Sequence, residues 1–219
     1  MLLPHLTKSV VVSLNCTRDT INKKLAIKMF ESLFQEISKT IQLDINDKIL
    51  CKQFFEKVTI NKNTIIEDQE KIPAFLYFID TGFMRLFYYD ENGDEITTYI
   101  SSSNGFIASF LNLINRRPAT ENVECITDCQ LLKISRQNLI SIIDKSENFK
   151  KFSLVIFEKV MALSQIRAND LATLTAELRY KKMIAEQPHL LQNIPIQYIA
   201  SFLGIKPQSL SRIRRQIIL

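Results

Sequence analysis

The sequence predicts an α+β chain: an antiparallel β-roll of the jelly-roll kind, joined by one long helix to a C-terminal helix-turn-helix domain of winged-helix type. Three observations predict it. Between Val58 and Ile134, short β-branched and aromatic runs alternate with turn residues about every ten positions, the signature of an antiparallel sandwich or barrel. Between Pro118 and Pro188 there is no Gly or Pro, and Glu147 to Thr173 are good helix formers. The segment IQYIASFLGIKPQSLSRIRR, Ile196 to Arg215, meets the demands of two crossing helices at nearly every position.

Composition bounds the class before any element is placed. With 219 residues, 46% hydrophobic and 23% charged, the chain has room for one or two globular domains. Its 4 cysteines are too few for a disulfide scaffold. No run approaches the roughly 18 apolar residues that span a bilayer, so no membrane partner and a cytoplasmic location are expected. The formal charge of +5 is unevenly placed. Residues 1–28 carry five basic side chains against Asp19, and residues 187–219 carry Lys206, Arg212, Arg214 and Arg215 against no acid. The middle is therefore mildly acidic, as in a regulator with a separate nucleic-acid module.

The elements follow in order. Leu6 to Leu14 resembles a signal core poorly: Lys8 interrupts it, and Asn15 before Cys16 is not the small residue a cleavage site wants. Residues 1–28 are read as a poorly ordered extension. From Phe30 to Phe55, Leu33, Phe34, Ile37, Ile41, Ile45 and Ile49 recur at helical steps. Strand runs then start at Val58, Ile65, Phe75 and Met84. Asn92-Gly93 marks a hairpin, because both residues tolerate the positive φ of tight turns, and it leads into a strand with Ile96, Thr98 and Ile100 on one face. A short helix within Phe106 to Asn115, strands Glu121 to Ile126 and Gln130 to Ile134, and a helix capped by Ser135 complete this part. On the long helix, Ile156, Val160, Leu163, Arg167, Leu171, Leu174 and Leu178 form one stripe. The stripe either lies on the β domain or meets its own copy in a coiled coil; a helix of about 25 residues, roughly 38 Å, favours the second.

In the C-terminal segment Ile199, Leu203, Ile205, Leu210 and Ile213 supply the shared apolar face, and Ala200 permits close approach. Gly204 fits a helix end in the left-handed region, and Pro207 suits the next helix's first turn. Lys206, Pro207, Gln208, Ser209, Arg212 and Arg215 are the candidate DNA-binding residues. Gln reads adenine, Arg reads guanine, and a helix N-terminus with Ser209 meets a phosphate.

Taken whole, the chain resembles the Crp/Fnr family of bacterial transcription regulators. The resemblance rests on AFLYFIDTGFMRLFYYDENGDEITTYI, TAELRYKKMIAEQPHLL and YIASFLGIKPQSLSRIRRQI, and covers about residues 30–219. It implies a cyclic-nucleotide-binding-like sensor over 29–144, a dimerisation helix over 145–174 and a helix-turn-helix DNA-binding domain over 175–219. It implies base-reading roles for Gln208 and Arg212, a phosphate contact for Ser209, and RNA polymerase as a partner. Pro207 departs from a position often basic in relatives, and the sequence ends at Leu219, so the wing is expected to be reduced or missing. The family's ligand pocket maps onto Gly105, Phe106, Ala119 and Thr120. Phe106 stands where cyclic-nucleotide binders keep a Glu, and Ala119-Thr120 where they keep Arg-Ser, so cAMP in the usual pose is not expected. Arg116 and Arg117 either hold another anion or form a solvated loop pair.

Other cofactors fit no better. An iron–sulfur cluster needs clustered thiolates, and Cys16, Cys51, Cys125 and Cys129 are scattered. His5 and His189 fall outside the β-roll, which leaves haem without an axial ligand and the roll without a general base. No nucleophile–base pair, metal spacing or glycine-rich phosphate loop argues for an enzyme. The expectation is a homodimeric, sequence-specific regulator of double-stranded DNA, with an unidentified small-molecule effector or none. The alternative is a ligand-binding or protein-interaction module that does not bind DNA.

Overall fold

The computed structural model describes residues 27–218. The chain runs through α1 (27–38), α2 (Ile45–Phe54), β1 (Glu56–Ile60), β2 (Thr64–Glu67), β3 (Phe75–Thr81), β4 (Phe83–Tyr89), β5 (Glu95–Ser102) and β6 (Phe106–Ile107). It continues with α3 (Phe110–Asn115), β7 (Asn122–Cys125), β8 (Cys129–Ser135), α4 (Arg136–Lys145) and α5 (Glu147–Thr173). Four short helices close it: α6 (Ala176–Glu186), α7 (Pro188–Asn193), α8 (Ile196–Phe202) and α9 (Pro207–Ile218).

The strands form two four-stranded antiparallel sheets, ordered β1-β8-β3-β6 and β2-β7-β4-β5. Consecutive strands often change sheet. Gly82 carries the chain from β3 to β4 at φ 110°, where a side chain would collide with Cys129 and the Asp128 carbonyl. Ile79, Met84, Val123, Cys125 and Leu131 fill the space between the sheets. A second apolar layer, with Leu33, Ile37, Phe78, Leu132 and Phe149, joins the first sheet's outer face to α1, α2, α4 and the start of α5. Each such fully buried side chain contributes about 1.5–3 kcal/mol.

The roll, the single helix Glu147–Thr173 and the C-terminal helices stand as the sequence predicts. Several details differ. The apolar period from Phe30 to Phe55 breaks into two helices, because Asp44 and Asp47 form a capping box that starts a new helix in another phase; Ile45 and Ile49 consequently lie exposed. Buried Asp47 accepts from Ser146 Oγ at 2.6 Å and Asn148 Nδ2 at 2.7 Å, tying α2 to the start of α5. In β5 a register shift opposite Leu86/Phe87 sets Thr97 against Phe87 and Ile100 against Arg85, so Thr97 and not Thr98 shares the outer face with Ile100. The stripe on α5 ends at Leu171: Leu174 is extended and Thr175 caps α6 through Leu178 N, which puts Leu178 on another helix. The extension lies outside the described residues except for 27 and 28, which begin α1. Among the described residues no strand follows β8. No described helix is long and apolar enough to cross a membrane.

Candidate nucleic-acid interface

Helices α8 and α9 form the helix-turn-helix. The end of α8 is closed by a Schellman pattern: Gly204 N–H donates to the Ser201 carbonyl at 2.9 Å and Ile205 N–H to Ala200 at 3.0 Å. Gly204 takes the left-handed conformation this pattern requires, at φ 68°. Pro207 then opens α9, where a missing N–H leaves no bond unmade. Leu210 and Ile213 turn inward onto Ile199, Ala200 and Leu203, in one core with Tyr180 and Met183 of α6 and Leu190 of α7.

That orientation leaves Gln208, Arg212 and Arg215 exposed along one face of α9, at steps of four and three residues. Pro207 and Ser209 are half-buried at its start. Among the described residues Arg212, Arg214 and Arg215 make no ion pair. Lys206 is different. Its Nζ bonds Asp94 of the β4–β5 turn at 2.6 Å, and that bond raises its pKa.

The helix-turn-helix is seated on the free edge of β5. Ser201 Oγ accepts from Thr97 N–H and donates to the Glu95 carbonyl, both at 2.8 Å, satisfying an edge that would otherwise need water. Arg85, 1% exposed, stands beneath α8 between Tyr198 and Phe87, its guanidinium carbon 3.5 Å and 4.0 Å from their ring centres. It donates to Glu124 at 2.6 Å, to Thr97 Oγ1 at 3.2 Å and to Glu95. No local pattern in the sequence marks this cluster, because its members are distant in the chain. His189, expected away from the β-roll, lies against it: Nε2 is 3.2 Å from Ser102 Oγ, because α7 packs beside β4 and β5.

A cavity of about 500 Å³ separates the roll from α5 and the helix-turn-helix. Of the four candidate ligand residues, Phe106 lines it; Gly105, Ala119 and Thr120 do not. Phe106 packs between Phe78, at a tilt, and Phe152, edge-on, linking the first sheet to α5. Gly105 makes the β5–β6 turn, donating to the Ser102 carbonyl and accepting from Ile79 N–H. Ala119 is buried and pairs its backbone with Glu70 and Lys71, whereas Thr120 is exposed. Cys125 and Cys129 are buried in the inter-sheet core, as expected of small apolar side chains, and burial pushes the Cys51 thiol up to about 12. Among the described residues no group of three His, Cys, Asp or Glu could hold a metal.

The chain thus combines a β-roll, one long helix and a helix-turn-helix in a single architecture. Residues 57–146 match the family of cyclic nucleotide-binding domains, and solved structures of bacterial regulators share the fold of most of the chain. FixK2 from Bradyrhizobium japonicum aligns over 74% of this chain and 84% of its own, at 14% identity and a TM-score of 0.67. The c-di-GMP responsive global regulator CLP from Xanthomonas campestris aligns over 80% and 91%, at 14% identity and 0.61. A protein from Eubacterium rectale described as a Crp/Fnr family transcriptional regulator aligns over 80% and 83%, at 18% identity and 0.62. No curated protein sequence matches the chain.

Proposed function

We propose that the chain is a homodimeric, sequence-specific DNA-binding transcription regulator of the Crp/Fnr type, acting in the cytoplasm on double-stranded DNA and RNA polymerase. One observation carries the reading. The exposed face of α9 presents Gln208, Arg212 and Arg215 with no ion-pair partner among the described residues, in a segment from Gln187 onward that contains no acid. An unneutralised cationic helix face of this size suits the phosphate-lined major groove. In a dimer the two α9 helices would enter successive grooves about 34 Å apart and read a roughly palindromic site. Residues 29–144 serve as the sensor, 145–174 as the dimer helix and 175–219 as the DNA-binding domain. The sensor's cyclic-nucleotide pocket is degenerate, because Phe106, Ala119 and Thr120 offer neither a carboxylate for a ribose nor a cation for a phosphate.

Selection of bound sequences from a random DNA pool supplies the operator, and two substitutions then test the roles. Arg212→Ala is expected to cost about 1–3 kcal/mol at one base pair per half-site, whereas Arg215→Ala weakens specific and random DNA alike. Equal losses on both DNAs for Arg212→Ala would overturn its base-reading role. Failure to retain any DNA at low salt would favour the protein-interaction module instead.

A further inference from the structure

The cavity between roll, α5 and helix-turn-helix contains two guanidiniums that no carboxylate among the described residues pairs. Arg167 donates to the Phe202 carbonyl at 2.7 Å and the Thr97 carbonyl at 3.1 Å, with its plane over the Phe202 ring. Arg179 donates to the carbonyls of Leu203, at 2.9 Å, and Leu174, at 2.5 Å. Both line the cavity. Their other neighbours there are accounted for: Lys182 bridges Asp170 at 2.6 Å, Glu186 is exposed beside Lys182, and Glu121 accepts from the Thr98 hydroxyl. Glu121 is near enough to favour the charged form of Arg167 but makes no ion pair with it. Burial first, and Arg179 second, hold Arg167 below the usual arginine value. The arrangement therefore leaves two partly desolvated, mutually repelling cations on neutral acceptors, where a charged acceptor would bind more strongly.

The rest of the wall is largely apolar, with Leu86, Ile107, Val160, Leu163 and Phe202 among its side chains. A volume of about 500 Å³ falls within the range of small-molecule sites. We propose that this cavity binds an amphipathic anion, with its carboxylate on Arg167 and Arg179 and its apolar body between α5 and the inner face of β4 and β6. This headgroup site lies where α5 and α6 meet the end of α8, apart from Ala119 and Thr120. It requires nothing of the DNA-binding reading, and its test uses no DNA.

Decanoate and decanol, titrated calorimetrically into the full-length protein, share an apolar body and differ in charge. Decanoate is expected to bind at least about tenfold more tightly, the scale of one or two hydrogen bonds to a charged group. Arg167→Gln and Arg179→Gln should each remove most of that preference and leave decanol binding unchanged. Glu121→Gln removes the acid that competes for Arg167 and should tighten decanoate several-fold, a gain that a misfolded variant cannot mimic. Equal affinity for the two probes, no decanoate binding at millimolar concentration, or a preference that survives both arginine substitutions would overturn the site. So would weaker decanoate binding in Glu121→Gln, or inorganic phosphate binding as tightly as decanoate.

Discussion

Arg85 is the largest fully buried side chain among the described residues, and it lies on the outer face of β4 in an otherwise apolar run. A cation so placed persists only if its partners offset the loss of water. Glu124 on β7, Glu95 and Thr97 on β5 take its donors, and two aromatic rings cover its faces. Tyr198 belongs to α8, so the guanidinium is shared between the β-roll and the helix-turn-helix. Arg85→Met leaves Glu124 buried without its cation and is expected to lower stability by about 3–5 kcal/mol in urea unfolding. The double variant Arg85→Met/Glu124→Leu should lose clearly less than the sum of the two single losses, because neither charge is then stranded. Additive losses would show that the pair does not act as a unit. No local sequence pattern marks this pair. Arg85 and Glu124 are 39 positions apart in the chain, and which strands become neighbours is decided by the sheet and not by local pattern.

Elements whose conformation is set by their own residues were legible in the sequence. The span of α5, the Ser135 cap and the α8-turn-α9 motif follow from propensity, caps and one glycine. Placement was not legible where a distant partner decides it, as in the seat of α8 on the β5 edge or the register shift that sets Thr97 outward. The same limit applied to the candidate site: of the residues expected to face solvent on α9, Gln208, Arg212 and Arg215 are exposed and Ser209 is half-buried, whereas Lys206 is drawn to Asp94 of a hairpin far away in the sequence. Gly204 allows the element to be tested directly. A Cβ there would stand 3.1 Å from Leu171 Cδ2, at a φ that L-residues adopt only at a cost of about 1–2 kcal/mol. Gly204→Ala should destabilise the protein by about that amount in thermal or urea unfolding, and Gly204→Asn by less, since Asn tolerates this conformation better. An alanine variant as stable as the parent would show that the turn relaxes out of the Schellman pattern.

At the scale of the molecule, α5 is the element that one chain does not finish covering. At 27 residues it is roughly 40 Å long. Ile156, Val160, Leu163 and Arg167 line the cavity, though Val160 and Leu163 are still exposed, and Leu154, Phe157 and Met161 are exposed along another line, at steps of three and four. Between Phe152 and Ile166 the helix carries only Glu158 and Lys159 as charges, so its outer surface is poorly suited to water. A second copy meeting it about a two-fold axis buries the same stripe on both chains, the arrangement that also sets two α9 helices at a fixed spacing. The full chain is therefore expected to sediment as a dimer at micromolar concentration. Phe157→Lys/Met161→Lys should shift it to monomer without unfolding it, because neither side chain belongs to the buried core of a single chain. Loss of the second recognition helix then removes the gain from joint binding, so affinity for a palindromic site should fall by about a hundredfold or more while contact with a half-site persists. A double-lysine variant that remains dimeric would place the interface elsewhere, and a parent chain that is monomeric under the same conditions would remove the dimer from the proposal altogether.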